Sequence, residues 1–256
     1  MLLVIDVGNT QTLIGLYLGT ELTHHWRAST NAERTVDEHA LLISQFLDLA
    51  ILDVMTVVTG MAISSVVPRI TAALRDMSER WIRVPTVVIE PGTRTGIPIL
   101  YDNPKDVGAD RIANAVAAYD LYGGPTIVVD FGTATTFDAV SAKGEYLGGA
   151  IIPGIEISLD ALFGRAAALR RVELVEPRSV IGKTTVEAIQ SGAVYGFTDQ
   201  VDGLVRRFEQ EMGQATVVST GGLAELIAPL STTIHHHEPW LTLHGLRLVY
   251  DRNMGS

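Results

Sequence analysis

The chain contains one short pattern twice: an apolar strand that closes in Asp-x-Gly, followed by hydroxyl or amide residues and a second apolar run. The first copy covers residues 4–12 and reads VIDVGNTQT, and the second covers residues 128–136 and reads VVDFGTATT. Each copy predicts a β-hairpin with a carboxylate at the close of its first strand and glycine in its turn. Because the copies lie more than a hundred residues apart, they indicate two related halves of one fold.

The residue types in these turns favour the binding of phosphate groups. Glycine lets a turn present backbone N–H groups to an anion, threonine and asparagine add donors, and aspartate can hold a metal ion. A single copy is more simply an ordinary hairpin, because aspartate and glycine are common turn residues. Two copies in register reverse that judgement. We expect the hairpins to face each other across a cleft and to hold a nucleotide for phosphoryl transfer.

Strands and helices alternate in two series, which favours an α/β class. The first series predicts strands at 2–6, 12–18, 21–28, 56–63 and 86–90, with helices at 36–49 and 68–81. The second predicts strands at 126–130, 134–140, 145–152 and 215–219, with helices at 154–164, 184–212 and 239–250. A connecting helix is predicted from residue 103 to 122, with Asp106 and Asp110 on one face. The predicted lobes are residues 1–112 and 113–256.

Composition limits the cellular setting and the partners. The chain has no cysteine, which excludes disulfides and thiolate chemistry and agrees with a cytoplasmic protein. The first apolar residues are too few for a signal peptide, and no apolar run approaches the roughly 18 residues of a membrane span. A formal net charge of −10 opposes unspecific attraction to nucleic acid or an anionic membrane. We therefore expect neither partner, and any anionic ligand must be bound by a local site.

Six short motifs follow one another along the chain: DVGNT at 6–10, GADR at 108–111, DFGTATT at 130–136, GGAIIPG at 148–154, TVEAIQSG at 185–192 and GGL at 221–223. In this order they resemble the type III pantothenate kinase family over essentially the whole chain. The resemblance implies the duplicated actin-like (ribonuclease H-like) ATPase fold, α/β in class, with two lobes around a nucleotide cleft. It also implies ATP-dependent phosphorylation of pantothenate to 4'-phosphopantothenate, the first step of coenzyme A biosynthesis.

The resemblance also assigns ligands to the two turns. Asp6 is expected to hold Mg²⁺, directly or through water, and Asp130 a monovalent cation, K⁺ or NH₄⁺. The residues expected to bind ATP are Asp6, Val7, Gly8, Asn9, Thr10, Gln11, Thr12, Leu13, Gly132, Thr133 and Gly221. These assignments agree with phosphoryl transfer, which depends mainly on positioning and on neutralising charge.

The substrate is expected to bind Tyr101, Gly108, Ala109, Asp110, Arg111 and Thr185. Asp110 is the expected general base, and the planar guanidinium of Arg111 suits the carboxylate of pantothenate. Thr185 matches a residue that reaches the substrate of the neighbouring subunit, which implies a homodimer with composite active sites. Each position has a simpler interpretation: a solvated helix surface for Asp110 and Arg111, a packing residue for Tyr101, and a helix-capping hydroxyl for Thr185.

Two other functions remain open from the sequence. Another small-molecule kinase of the same fold would keep both turns without needing residues 108–111 together, and a silent nucleotide-binding regulatory protein would keep the fold without turnover. The tract His235, His236 and His237 could bind a metal. We interpret it as a surface or packing segment, because consecutive residues of an extended chain point to alternating faces and no acid-rich motif is near.

Overall fold

The structure is a computed structural model that describes residues 1–166 and 168–255. The chain forms two compact units: the first unit is Met1–Ala117 together with Leu241–Ser256, and the second unit is Ala118–Trp240. This division differs from the predicted lobes, because the C-terminal helix returns to the first unit and packs on the strands of its sheet. The repeated motif does not indicate that the C-terminal helix packs on the first unit.

The described residues contain ten strands and eight α-helices. The strands are β1 (Leu2–Val7), β2 (Gln11–Leu18), β3 (Glu21–Ser29), β4 (Gly60–Ser65), β5 (Thr86–Val88), β6 (Thr126–Phe131), β7 (Ala134–Val140), β8 (Tyr146–Pro153), β9 (Thr216–Thr220) and β10 (His236–His237). The helices are α1 (Val36–Leu49), α2 (Val54–Val57), α3 (Pro68–Met77), α4 (Ala109–Tyr122), α5 (Ile155–Arg165), α6 (Thr185–Met212), α7 (Ala224–Ile227) and α8 (Leu241–Met254).

The two sheets have the same topology. The first runs β3-β2-β1-β4-β5 and the second β8-β7-β6-β9-β10, each with five strands. In both, the first three strands pair as antiparallel neighbours, and the next strand in the sequence lies parallel to the first. The predicted duplication and the α/β class are thereby confirmed.

The central strand β1 is buried on both faces of its sheet, as strands with parallel neighbours usually are. Leu3 and Ile5 belong to a core with apolar residues of α1 and α3. On the other face, a Cβ atom at Gly15 of β2 would come within 2.9 Å of Leu243 from α8 and 3.0 Å of Val4. The tight packing of α8 fixes β1 and β2, and therefore the turn that joins them.

Most predicted elements are present within one to four residues of their expected ends, but one strand prediction is partly wrong. Residues 56–63 do not form a single strand, because α2 comes first and β4 begins only at Gly60. The cause is local: the Asp53 carboxylate accepts a hydrogen bond from the Met55 N–H at 3.0 Å and starts a helical turn. The short strand β10 was not predicted. No helix among residues 1–166 and 168–255 is long and apolar enough to cross a bilayer.

Candidate active site

The first turn, residues 8–10, joins β1 to β2 and is closed by a hydrogen bond from the Gly8 N–H to the Gln11 carbonyl at 3.0 Å. Asp6 lies one residue before the end of β1 and is half-buried, while Asn9 and Thr10 are exposed. A compact turn with exposed polar residues beside a carboxylate has the donors expected of a phosphate site. The first unit therefore brings the predicted residues 6–13 together in one hairpin.

Thr30 supports this turn, although it was not predicted as a site residue. It follows β3 directly, and its hydroxyl donates to the Gly8 carbonyl at 2.8 Å. Its backbone N–H donates to the Thr10 carbonyl at 2.9 Å. The motif pattern contains no signal for Thr30, because the residue lies outside the repeated hairpin in the sequence.

The second turn, residues 132–133, joins β6 to β7 and is closed by the Gly132 N–H donating to the Ala134 carbonyl at 3.1 Å. Asp130 pairs in register with Thr220 of the parallel strand β9. Gly221 has φ +93°, and a Cβ atom there would lie 2.6 Å from Oδ1 of Asp130. The predicted residues Asp130, Gly132 and Gly221 thus lie together in the second unit, and only glycine fits beside the carboxylate.

Gly154 touches the same turn from the end of β8. Its N–H donates to the Thr133 carbonyl at 3.1 Å. A Cβ atom at this position would lie 2.3 Å from that carbonyl oxygen and 2.6 Å from the carbonyl oxygen of Gly132. The motif GGAIIPG contains this glycine, but its steric role becomes visible only when the turn and the strand end are placed together.

The predicted helix from residue 103 is wrong in its first part. Pro104–Asp106 forms a separate 3-10 turn, with the Asn103 amide donating to the Asp106 carboxylate at 2.8 Å. Val107 is extended, and α4 begins at Ala109. Asp106 and Asp110 therefore do not share a helix face, contrary to the prediction. The turn satisfies its own hydrogen bonds, and Gly108 disfavours continuing the helix.

Asp110 lies in the first turn of α4, where the helix dipole favours a carboxylate. Its Oδ1 accepts a hydrogen bond from the Arg111 N–H at 2.8 Å. Burial raises the pKa of Asp110, although this hydrogen bond and the charge of Arg111 act in the opposite direction. Arg111 is only 7% exposed, so the alternative of a solvated surface pair is wrong. A carboxylate of raised pKa is a stronger base than an ordinary aspartate.

A cavity of about 970 Å³ lies in the first unit at the carboxyl ends of β4 and β5. Its size falls within the range of about 300–1,000 Å³ typical of small-molecule sites. Ser65 at the end of β4 lines it and pairs in register with Val7 of β1. Gly108 and Ala109 line it on the side of α4, whereas Asp110, Arg111 and Tyr101 are not among its lining residues. The cavity therefore adjoins the expected substrate residues Gly108 and Ala109, and the strand β4 that ends at its wall pairs with β1.

The lining of this cavity carries charges of both signs. Arg75 and Lys105 supply positive charge, and Asp76, Glu90 and Asp106 supply negative charge. Arg75 donates to Glu90 at 2.9 Å, which fixes both side chains at one wall. Arg75 and Glu90 were not predicted as site residues, because the approach of α3 to the end of β5 is a tertiary feature.

Tyr101 and Thr185 are both exposed. Tyr101 lies in the loop before the 3-10 turn and is not a core residue. Thr185 is the first residue of α6, and the capping hydroxyl is that of Thr184, which accepts from the Glu187 N–H at 3.2 Å. The capping interpretation of Thr185 is therefore wrong, and its hydroxyl is available at the surface.

The histidine tract has structural contacts. The Val217 N–H donates to Nδ1 of His235 at 2.9 Å, the His236 ring stacks on Tyr122 with centroids 4.4 Å apart, and Nδ1 of His237 lies 3.2 Å from the Ser219 hydroxyl. These contacts attach β10 to the edge of the second sheet. No group of three or more His, Cys, Asp or Glu suited to a metal ion occurs in the part of the chain that the structure describes.

The donors at the two turns nevertheless fit the expected cations. Mg²⁺ usually keeps several waters and binds one or two carboxylates together with substrate phosphates, so Asp6 is a sufficient protein ligand. At the second turn, Gly221 packs closely against the Asp130 carboxylate, which supplies oxygen ligands beside residues 132–133. Oxygen ligands of this kind suit a monovalent cation as well.

Comparison with known proteins decides the family. The family described as type III pantothenate kinase matches residues 2–207. The chain belongs to the type III pantothenate kinase family. A curated relative of that name from Streptomyces griseus subsp. griseus is 57% identical over 262 residues, which is 99% of both chains. A relative of the same name from Acidothermus cellulolyticus is 54% identical over 256 residues, again 99% of both.

Two solved structures share the fold of this chain. The activator of 2-hydroxyisocaproyl-CoA dehydratase from Clostridium difficile, solved with bound ADPNP, aligns with a TM-score of 0.59 at 11% identity over 97% of this chain and 93% of that one. A Baf family protein from Campylobacter jejuni aligns with a TM-score of 0.62 at 20% identity over 98% of both chains. At these identities the likeness concerns the fold alone, and it confirms the duplicated actin-like α/β fold.

Proposed function

We propose that this type III pantothenate kinase transfers the γ-phosphate of ATP to the primary hydroxyl of pantothenate. The observation that carries the proposal is the cavity of the first unit, which adjoins β4 beside Val7 and α4 at Gly108 and Ala109. One unit thus supplies space for a small substrate beside Gly108 and Ala109, the two residues that precede the proposed base Asp110. Family membership supports the choice of pantothenate among small alcohols.

In the proposed reaction, the Asp110 carboxylate accepts the proton of the substrate hydroxyl. The hydroxyl oxygen then forms a bond to the γ-phosphorus, and the bond between that phosphorus and the β–γ bridging oxygen breaks, which leaves ADP and phosphopantothenate. Burial of Asp110 supports the role of base, because its raised pKa strengthens proton abstraction. Arg111 holds the substrate carboxylate through its planar guanidinium.

The two glycine turns hold the phosphates of ATP in this proposal, through backbone N–H groups and through the hydroxyl groups of Thr10 and Thr133. Asp6 would hold Mg²⁺ and Asp130 a monovalent cation. Both cations, when bound, neutralise phosphate charge that the protein itself offsets poorly at a formal net charge of −10.

We further propose that the protein is a homodimer in which Thr185 reaches the substrate of the partner subunit. Thr185 lies at the surface, and the neighbouring side chains Val180, Ile181 and Val186 are exposed apolar residues, with Ile181 78% exposed. An exposed apolar group around a polar residue is typical of a protein interface.

Light scattering is expected to give a dimer for the wild type and a monomer for Ile181→Asp. Ile51→Asp, at an isoleucine 93% exposed in the first unit, is the matched control and should stay dimeric.

The proposed function is tested by incubating purified protein with ATP, Mg²⁺ and K⁺ and a panel of hydroxy acids and sugars that includes pantothenate. Mass spectrometry of the products is expected to find phosphate on pantothenate alone. Transfer to another member of the panel would identify a different small-molecule kinase. ATP binding without transfer to any acceptor would identify a silent regulatory protein.

A further inference from the structure

We infer that Thr30 is a positioning residue that sets the direction of the N–H groups in the first phosphate turn. The inference rests on the proposed function, because it assigns Thr30 to the binding of ATP phosphates by residues 8–10. Thr30 lies outside the repeated motif and is the first residue after β3.

Thr30 holds the turn at two carbonyl groups and one side chain. Its N–H donates to the Thr10 carbonyl at 2.9 Å, and its hydroxyl donates to the Gly8 carbonyl at 2.8 Å. The hydroxyl of Thr12, which is buried, lies 2.9 Å from the Thr30 hydroxyl. A single residue therefore contacts the beginning and the end of the turn as well as the strand that follows it.

The positions of the hydrogen atoms follow from this geometry. A threonine hydroxyl has one hydrogen to donate and lone pairs to accept. Because Thr30 gives its hydrogen to the Gly8 carbonyl, it accepts a hydrogen bond from Thr12. The chain of donors runs from Thr12 through Thr30 to Gly8, and each bond polarises the next.

Fixing the Gly8 carbonyl also fixes a donor of the turn. The peptide unit between Gly8 and Asn9 is planar and trans, so its C=O and N–H point in opposite directions. Holding the carbonyl towards Thr30 turns the Asn9 N–H to the opposite side of the turn. Asn9 is exposed there, in the position expected of a phosphate donor.

The second unit has the same backbone hydrogen bond to its turn, but the residue that donates it is a glycine and has no side chain. Gly154 follows the third strand of its sheet, β8, as Thr30 follows β3, and its N–H donates to the Thr133 carbonyl at 3.1 Å. The second turn has two residues between its strands where the first has three, and a Cβ atom at Gly154 would lie 2.3 Å from the Thr133 oxygen. The longer first turn leaves room for a threonine side chain, whose hydroxyl adds the contact to Gly8.

The test compares Thr30→Val and Thr30→Ser with the wild-type protein. Valine keeps the shape and the backbone N–H of Thr30 but removes the hydroxyl, whereas serine keeps the hydroxyl. Thr23→Val is the matched control, because the Thr23 hydroxyl donates to the Leu16 carbonyl at 3.0 Å in the same pair of strands. We expect Thr30→Val to weaken ATP binding about tenfold, the loss typical of one hydrogen bond, and to raise KM for ATP in proportion. KM for pantothenate should not change, and Thr30→Ser should restore ATP binding.

Each outcome decides the inference. Unchanged ATP affinity in Thr30→Val would overturn it, as would an equal loss in Thr23→Val, which would indicate a general effect on the strand pair. If Thr30→Val does not fold, Thr30→Ala provides the same comparison with a smaller side chain. A wild-type protein that binds ATP without phosphorylating pantothenate would overturn the proposed function, and the Kd for ATP measured by calorimetry would still decide the role of Thr30.

Discussion

A Cβ atom on Gly108 would lie 2.5 Å from the Oδ1 atom of Asp110. The Asp110 side chain therefore folds back over Gly108, where its Oδ1 accepts the Arg111 N–H at 2.8 Å. The glycine before α4 is a steric condition for the rotamer of the proposed base, in addition to marking the start of the helix.

Gly108→Ala is expected to displace the Asp110 carboxylate and to lower kcat by about 10²-fold, the loss typical of a displaced catalytic group. ATP affinity should remain within about twofold, because the phosphate turns are separate elements. Gly203→Ala is the matched control, since a Cβ atom at Gly203 of α6 would meet nothing within 4 Å. Steady-state kinetics of both variants check this prediction, and full activity of Gly108→Ala would contradict it.

The raised pKa of Asp110 predicts the pH dependence of the reaction. The carboxylate must be ionised to accept a proton, so kcat/KM for pantothenate should fall as the pH drops through the raised pKa. That fall should lie above about pH 3.9, the ordinary value for an aspartate side chain. A rate profile measured from neutral pH downwards checks it. An acid limb at or below the ordinary value would show that Asp110 is not the titrating base.

Asp130 predicts a dependence on monovalent cations. We expect K⁺ or NH₄⁺ to raise activity several-fold and Na⁺ to have no effect, because a bound cation of suitable size offsets phosphate charge beside the second turn. Asp130→Asn should remove the response to K⁺. Asp199→Asn, which changes an exposed carboxylate on α6 in the same unit, should keep it. Equal rates of the wild type in K⁺ and Na⁺ at matched ionic strength would contradict the role of Asp130.

His39 on α1 predicts the acid sensitivity of the first unit. The side chain is 5% exposed, and burial lowers its pKa to about 4, with a further lowering from the charge of Arg34. The unfolded chain binds a proton below about pH 6.5, but the folded chain does so only near the lowered pKa. Stability contributed by the neutral imidazole is therefore fully present at neutral pH and is lost as the pH falls from about 6.5 towards about 4.

Between pH 7 and pH 5 this loss corresponds to about 2 kcal/mol of unfolding free energy. His39→Leu should remove that part of the pH dependence, since leucine suits a helix face shared with Ile43 and Leu47. Urea unfolding at the two pH values measures the difference. His25→Leu, at an exposed histidine of β3, controls for the substitution, and the same pH dependence in His39→Leu as in wild type would refute the prediction.

Local sequence signals were sufficient to predict much of the fold. The hairpins around residues 8–10 and 132–133 were predicted because each strand, turn and following strand is contiguous in the chain. Helix α1 was predicted with its observed ends, and in the structure Thr35 and Glu38 form a capping box at its start. These features depend on residues a few positions apart, which a single sequence displays directly.

Features that depend on distant residues could not be predicted. Thr30 lies twenty-two residues from Gly8, and nothing local marks the hydrogen bond between them. The return of α8 to the first unit depends on packing against β1 and β2. The cap at Asn103 is compatible with a 3-10 turn and with a longer helix. Which of them forms depends on whether the turn's own hydrogen bonds or the continuation of the helix is more favourable. The roles of the individual site residues also depend on contacts between distant residues, and they are therefore proposals.

The most direct test of the account is the activity of Asp110→Asn. The substitution retains the oxygen that accepts the Arg111 N–H and removes the capacity to accept a proton. Because the raised pKa makes ionised Asp110 unfavourable for folding above the ordinary pKa, the variant should be at least as stable as the wild type at pH 7. This advantage should disappear below the ordinary aspartate pKa, where both states of the wild type are protonated.

With ATP, Mg²⁺, K⁺ and pantothenate, we predict that Asp110→Asn lowers kcat by at least about 10²-fold, as expected for a positioned general base. The same preparation should bind ATP with wild-type affinity. Turnover at the wild-type rate in a folded, ATP-binding Asp110→Asn protein would contradict the assignment of Asp110 as the base that activates pantothenate.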